Sequence, residues 1–209
     1  MKIYEYGNSS AANILIQPVD EHDLSLIENE INEIKRLSNE DFCLVSVMIS
    51  NWNHELSPWR APAVFGKEDF GDGADNTLAE IKRLCMYDDK KYIIGGYSLA
   101  ALFSLWAASQ IDIFSGVAAA SPSAWFPDFT DYLKNNEIMS NRVYLSIGDK
   151  EKNTKNPVMA TVEDRIREIY EHLKSVGINT ILELNQGNHF KDSDIRTAKA
   201  FAWILNGLA

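Results

Sequence analysis

The sequence predicts an α/β protein, a three-layer α/β/α sandwich around a mostly parallel sheet. Three observations predict it. Short apolar runs alternate with amphipathic stretches from residue 12 onward, the order that builds parallel strands joined by helical crossovers. Two of those runs, 42–49 and 114–120, have almost no polar alternation, as strands covered on both faces require. The stretch 99–110 has scarcely any polar face, as a helix buried against such a sheet would.

The 209 residues suit a single domain spanning 1–209 and can bury a sizeable core. Residues 2–6 alternate weakly and read as an edge strand. Residues 12–17 form a better strand, expected to end at Pro18, which has no N–H for a sheet ladder. The first helix is expected over 23–38. There Leu24, Ile27, Ile31, Ile34 and Leu37 recur at spacings of three and four, with acidic residues early and Lys35-Arg36 late. After the buried strand 42–49, residues 51–76 read as one long irregular loop holding Trp52, Trp59, Phe65 and Phe70; such loops are usually functional. A helix over 77–86 would be capped by Asp75 or Asn76.

Lys91 opens a strand that runs into Gly95-Gly96-Tyr97-Ser98-Leu99-Ala100, and the buried helix continues to 110. A strand at 114–120, the turn-rich Ser121-Pro122-Ser123-Ala124-Trp125-Phe126-Pro127 and a short helix at 128–135 follow. A strand at 142–148 breaks at Gly148-Asp149-Lys150-Glu151. A helix over 159–176 stops at Gly177, a strand covers 179–184, and a last helix covers 194–206.

Charge bounds the partners. There are 30 acidic against 20 basic residues, a formal net charge of −10, and no Lys/Arg-rich run. Nucleic acid and anionic membranes are repelled and a strongly anionic substrate is disfavoured. The sequence carries no cofactor or metal motif. Cys43 and Cys85 are isolated and are expected to be free, buried thiols. Two such thiols, no run long enough to cross a bilayer and a start without a leader pattern together lead to the expectation of a cytoplasmic protein. The oligomeric state is left open, and a homo-oligomer is compatible with the sequence.

In a parallel sheet, sites form at the carboxyl ends of strands. The turn at Ser98 is one such end. A serine on a sharp strand-to-helix turn has an exposed hydroxyl, and the positions two before and two after it must be small; they are Gly96 and Ala100. A G-x-S-x-[GA] match alone arises by chance in a chain this long about 15% of the time, so its weight rests on its partners. A serine nucleophile needs a base. Among His22, His54, His172 and His189, only His189 follows a late strand in a glycine-containing loop. A carboxylate must orient that base, and Asp149 and Glu151 both end the preceding strand. Leu99 N–H would supply one oxyanion donor, and the backbone of Val19 or Asp20 the second.

The segments Gly96-Tyr97-Ser98-Leu99-Ala100, Ser121-Pro122-Ser123-Ala124-Trp125, Gly148-Asp149-Lys150-Glu151 and Gly187-Asn188-His189-Phe190 resemble the branch of the α/β-hydrolases that holds esterase D, enterochelin esterase and feruloyl esterase domains. The resemblance covers most of the chain from about Asn13. It implies an α/β-hydrolase fold, from which this chain is expected to depart by trimmed first strands, with one weak strand before Ile14, and by a short segment between Ser121 and Arg142 without a large lid. It also implies a serine carboxylesterase working through an acyl-enzyme. The family's acid stands three residues after a strand-ending glycine, which selects Glu151 over Asp149. Ala100 departs from the family's glycine but is still small. With no lid, the pocket is expected to be shallow and walled by Trp52, Trp59 and Trp125, which favours small or aryl esters and makes a small-molecule ester the expected partner. An acyltransferase or amidase would use the same triad, and a non-enzymatic binding protein would keep the scaffold alone.

Overall fold

A computed structural model describes residues 2–208. Strands β1 (Lys2–Gly7), β2 (Asn13–Val19), β3 (Phe42–Met48), β4 (Lys91–Tyr97), β5 (Phe114–Ala120), β6 (Arg142–Gly148) and β7 (Asn179–Asn185) form one sheet. Their order is β1-β3-β2-β4-β5-β6-β7. Only β1 runs antiparallel, along the outer edge of β3; every other neighbouring pair is parallel. The helices are α1 (Glu21–Leu37), α2 (Trp52–Glu55), α3 (Ala74–Lys82), α4 (Leu99–Gln110), α5 (Phe129–Asn135), α6 (Val162–Ser175) and α7 (Ser193–Leu205).

The sheet divides the apolar side chains by strand alternation. Ile16, Val45, Ile94, Val117 and Leu145 face a core shared with α3, α4, α5 and α6. Leu15, Leu44, Ile93, Ala118 and Tyr144 face the other way, onto α1 and α7. This is the expected three-layer sandwich. Helix α4 lies centrally, with every residue from Leu99 to Ala108 buried, which accounts for its missing polar face. No helix among the described residues is long and apolar enough to cross a membrane.

Three local expectations need correction. Strand β2 does not end at Pro18 but continues to Val19. The β2–β4 pairing reaches only Ile16, whereas the β2–β3 pairing reaches Val19. Val19's carbonyl takes the Ile49 N–H at 2.9 Å, so alternation turns Pro18's nitrogen toward the side where pairing has ended and no donor is missed. Helix α1 starts at Glu21 because Asp20 caps it: the Asp20 carboxylate accepts the Asp23 N–H at 2.8 Å and the Asp23 carboxylate accepts the Asp20 N–H at 3.3 Å. β2 and α1 therefore leave only Asp20 between them. The stretch 51–76 is not irregular throughout. It holds α2, an Ala61–Phe70 bridge and the start of α3, which opens at Ala74 after Gly73 without a side-chain cap. Of the two free thiols, Cys43 is buried and Cys85 half-buried.

One buried acid gives a pH prediction. Glu30 of α1 is 2% exposed and its carboxylate accepts from Gln17 Nε2 at 3.2 Å. Burial pushes its pKa well above the carboxylate range; the Gln17 bond opposes this, while Asp23 and Asp194 add repulsion. Between the unfolded and the folded pKa, the folded chain therefore holds a proton that the unfolded chain releases. Stability from this group is complete below the unfolded value of about 4.3 and is lost as pH rises through the folded value. Glu30→Gln has no proton to take up. It is expected to be more stable than wild type at pH 7, with the gain vanishing near pH 4. Urea unfolding at the two pH values checks this, and an equal change at both contradicts it.

Candidate active site

Ser98 sits between β4 and α4 with φ 58° and ψ −117°. A non-glycine residue in that region is strained, and such strain concentrates at functional turns. The close approach of strand and helix explains the small flanks: a Cβ on Gly96 would stand 2.8 Å from the Ala100 Cβ. The turn leaves Ser98 half-exposed at the carboxyl edge of the sheet, with the Leu99 N–H at the first position of α4. That N–H has no partner within the helix.

Two further loops meet Ser98 from β6 and β7. His189 Nε2 lies 2.9 Å from Ser98 Oγ, and His189 Nδ1 lies 2.7 Å from Glu151 Oε2. An ionised Glu151 can only accept, so Nδ1 carries the proton and Nε2 is free to accept from the serine hydroxyl. The His189 side chain is 23% exposed and that of Glu151 only 2%. Burial pulls the Glu151 pKa up, but the His189 bond and charge, the Gly148 N–H and the Ser121 hydroxyl outweigh it and hold it below the ordinary value. The acid is therefore an anion at neutral pH.

Asp149 is not part of this chain of bonds. Its Oδ1 accepts the Gly187 N–H at 2.8 Å and its own N–H donates to Asn185 O at 2.8 Å. It fastens the loop after β7 to the loop after β6. Val19 is not brought to Ser98 as an oxyanion donor either. The N–H and C=O of one strand residue point the same way, and Val19's carbonyl is bonded to Ile49, so its backbone faces β3. The Asp20 N–H is held by the Asp23 carboxylate.

The tryptophans take different places. Trp59 donates from Nε1 to Pro127 O at 3.1 Å and packs on Phe126, Phe129 and Tyr132. It is half-buried and packs against the larger core. Trp52 is half-buried and packs on the larger core cluster from α2. Trp125 is buried between Phe65 and Phe70. It also lines a cavity of about 340 Å³ with Phe126, Pro157, Asp131 and Arg165, which neither Ser98 nor His189 lines. His22 and His54 are exposed on α1 and α2, and His172 is half-buried on α6.

Four side chains of the site escaped the sequence reading. Ser123 Oγ lies 3.1 Å from Ser98 Oγ, and the Ser123 N–H donates to the Ser98 carbonyl at 3.1 Å. The Ser121 hydroxyl donates to Glu151 Oε1 at 2.8 Å, beside the Gly148 N–H at 2.7 Å. Tyr97 donates its hydroxyl to the His189 carbonyl at 2.7 Å; burial above all pushes this phenol up to about 12, so it stays neutral. Arg196 of α7 is 2% exposed and donates to Glu151 Oε1 at 2.9 Å. Arg196 had a legible signal. It stands four and eight residues before Ala200 and Ile204, on the buried stripe of α7, where a cation needs a partner.

Among the described residues, no group of His, Cys, Asp and Glu side chains is arranged to hold a metal ion. No protein-family model matches the sequence, and no curated protein matches it. Solved structures match in fold. An IroE-like serine hydrolase from Shewanella oneidensis superposes with a TM-score of 0.75 at 12% identity, over 99% of this chain and 76% of that one. The enterobactin esterase of Shigella flexneri gives 0.65 at 12% identity, over 99% of this chain. This chain spans only 56% of that protein's length. Est1E from Butyrivibrio proteoclasticus gives 0.62 at 14% identity, over 99% of this chain and 93% of that one. The fold of this chain is that of the α/β-hydrolases.

Proposed function

We propose that the protein is a serine hydrolase that cleaves carboxylic esters with small or aryl groups through an acyl-enzyme. One observation carries the reading: the unbroken chain of hydrogen bonds from Glu151 through His189 to Ser98, on a strained strand-to-helix turn. In this reading His189 Nε2 takes the Ser98 proton as Oγ attacks the ester carbonyl. Glu151 stabilises the imidazolium and fixes its tautomer. The Leu99 N–H, at the positive end of α4, donates to the developing oxyanion. His189 then protonates the leaving alcohol, and a water activated by the same nitrogen releases the acid. With the Ser98 proton directed to His189, Ser123 donates to Oγ and holds it in line.

The fold neighbours, among them a serine hydrolase and two esterases by name, support ester hydrolysis. The choice of small or aryl groups rests on the short segment between β5 and β6, which leaves no room for a large lid over Ser98; the 340 Å³ cavity beside Trp125 is lined by none of Ser98, Glu151 and His189. The test is a chromogenic ester series of rising acyl length. Acetyl to butyryl and aryl esters are expected to turn over, with kcat/KM at least about tenfold below its maximum for long-chain esters. A profile that rises toward long chains contradicts the substrate class. Accumulation of amide or transesterified product when amines or alcohols are added would shift the reading to acyl transfer.

A further inference from the structure

Glu151 does not face His189 as a lone carboxylate. Its Oε2 is given to His189 alone, while Oε1 accepts from the Arg196 guanidinium, the Ser121 hydroxyl and the Gly148 N–H. The same guanidinium reaches two other parts of the site. Nη1 donates to the Tyr97 hydroxyl at 3.0 Å, next to the nucleophile in sequence. Nη2 donates to the carbonyls of Gln186 at 3.2 Å and Asn188 at 3.0 Å, in the loop that carries His189. Tyr97 closes the circuit on the His189 carbonyl. One planar fork on α7 thus holds β4, the acid loop and the base loop together, and both sides of its ion pair are 2% exposed.

We propose that Arg196 is the positioning residue of this site: its charge balances the Glu151 carboxylate, and its second arm clamps the loop that presents His189. The inference rests on the hydrolase reading for its catalytic meaning. It has a definite electrostatic sign. Glu151 and His189 share one proton across a 2.7 Å hydrogen bond. A fixed positive charge beside the pair opposes the uptake of a second proton, whether that proton would sit on oxygen or nitrogen. Removing it must make that second proton easier to take up.

The other titratable and charged groups around the pair do not change in this comparison. Tyr97 on β4 is neutral. Asp149 is tied to the Gly187 N–H. Lys191 lies along Gly187 with its ammonium 3.9 Å from Asp192.

Arg196→Met keeps the stem and removes the charge. Its kcat/KM is expected to fall about 10- to 100-fold, with the acid limb of the pH profile moved upward by roughly one unit. Arg196→Lys keeps the charge without the two-armed hold. Its limb should stay at the wild-type position while kcat falls. The His189 ring, followed by NMR titration and assigned with His189→Gln, should show the same upward move in the Met variant without any substrate. A folded Met variant whose limb and ring titration do not move overturns the charge role. A Lys variant with wild-type kcat overturns the clamp, and that result stands even where the Met variant does not fold. The titration needs no ester. A shifted His189 in a protein that turns over no ester therefore rejects the hydrolase reading while leaving the charge effect of Arg196 intact.

Discussion

Ser98→Ala is expected to lower kcat for ester hydrolysis by about 10⁴-fold or more while the protein stays folded. The size follows from what is lost. Without Oγ there is no acyl-enzyme, and only the oxyanion donor and binding contacts act on water, which leaves a small residue of catalysis. Stability should change by no more than about 1 kcal/mol. Alanine pays the same backbone cost as serine at φ 58°, and the lost hydroxyl was half-exposed. Far-UV circular dichroism and urea unfolding establish the fold, and initial rates on an aryl acetate give the loss. Turnover within tenfold of wild type would remove Ser98 from the mechanism.

Glu151→Gln is expected to reduce kcat about 10³- to 10⁴-fold and also to destabilise the protein by about 3 kcal/mol. Both effects come from one carboxylate. An amide oxygen in the Oε1 place can still accept from Ser121, Gly148 and Arg196. The amide nitrogen then faces His189 Nδ1 and can only donate, so the ring takes the wrong tautomer and Nε2 no longer accepts the serine proton. Meanwhile the buried Arg196 guanidinium loses its counter-charge, and an uncompensated buried cation is costly. Asp149→Asn keeps the acceptor for the Gly187 N–H and should leave turnover near wild type. Steady-state rates with a denaturant midpoint for each variant separate the two acids. A stable, active Glu151→Gln would reject the arrangement.

Much of the fold was legible because it depends on local chemistry. The apolar runs at β3 and β5, the all-apolar face of α4 and the glycine stop after α6 each follow from patterning that no distant contact overrides. The carboxyl-end rule alone places the loops of Ser98, Glu151 and His189 at one edge of the sheet. What was not legible depends on pairing and packing. Pro18 stays within β2 because pairing with β4 has already stopped, and Val19 turns from Ser98 because of its ladder side. Both are facts of register, which sequence spacing does not carry. Trp59 reads as a loop aromatic until Phe126, Phe129 and Tyr132 close around it. Arg196 was visible as a cation on an apolar stripe, but its partner lies 45 residues away in sequence.

The most direct measurement is covalent trapping. Wild-type protein incubated with a fluorophosphonate at neutral pH is expected to gain one adduct by intact mass, mapped to Ser98 by peptide sequencing. The adduct should be absent in Ser98→Ala and formed far more slowly in His189→Ala. A folded wild-type protein that stays unlabelled, or one labelled equally in Ser98→Ala, would contradict the assignment of Ser98 as an activated nucleophile.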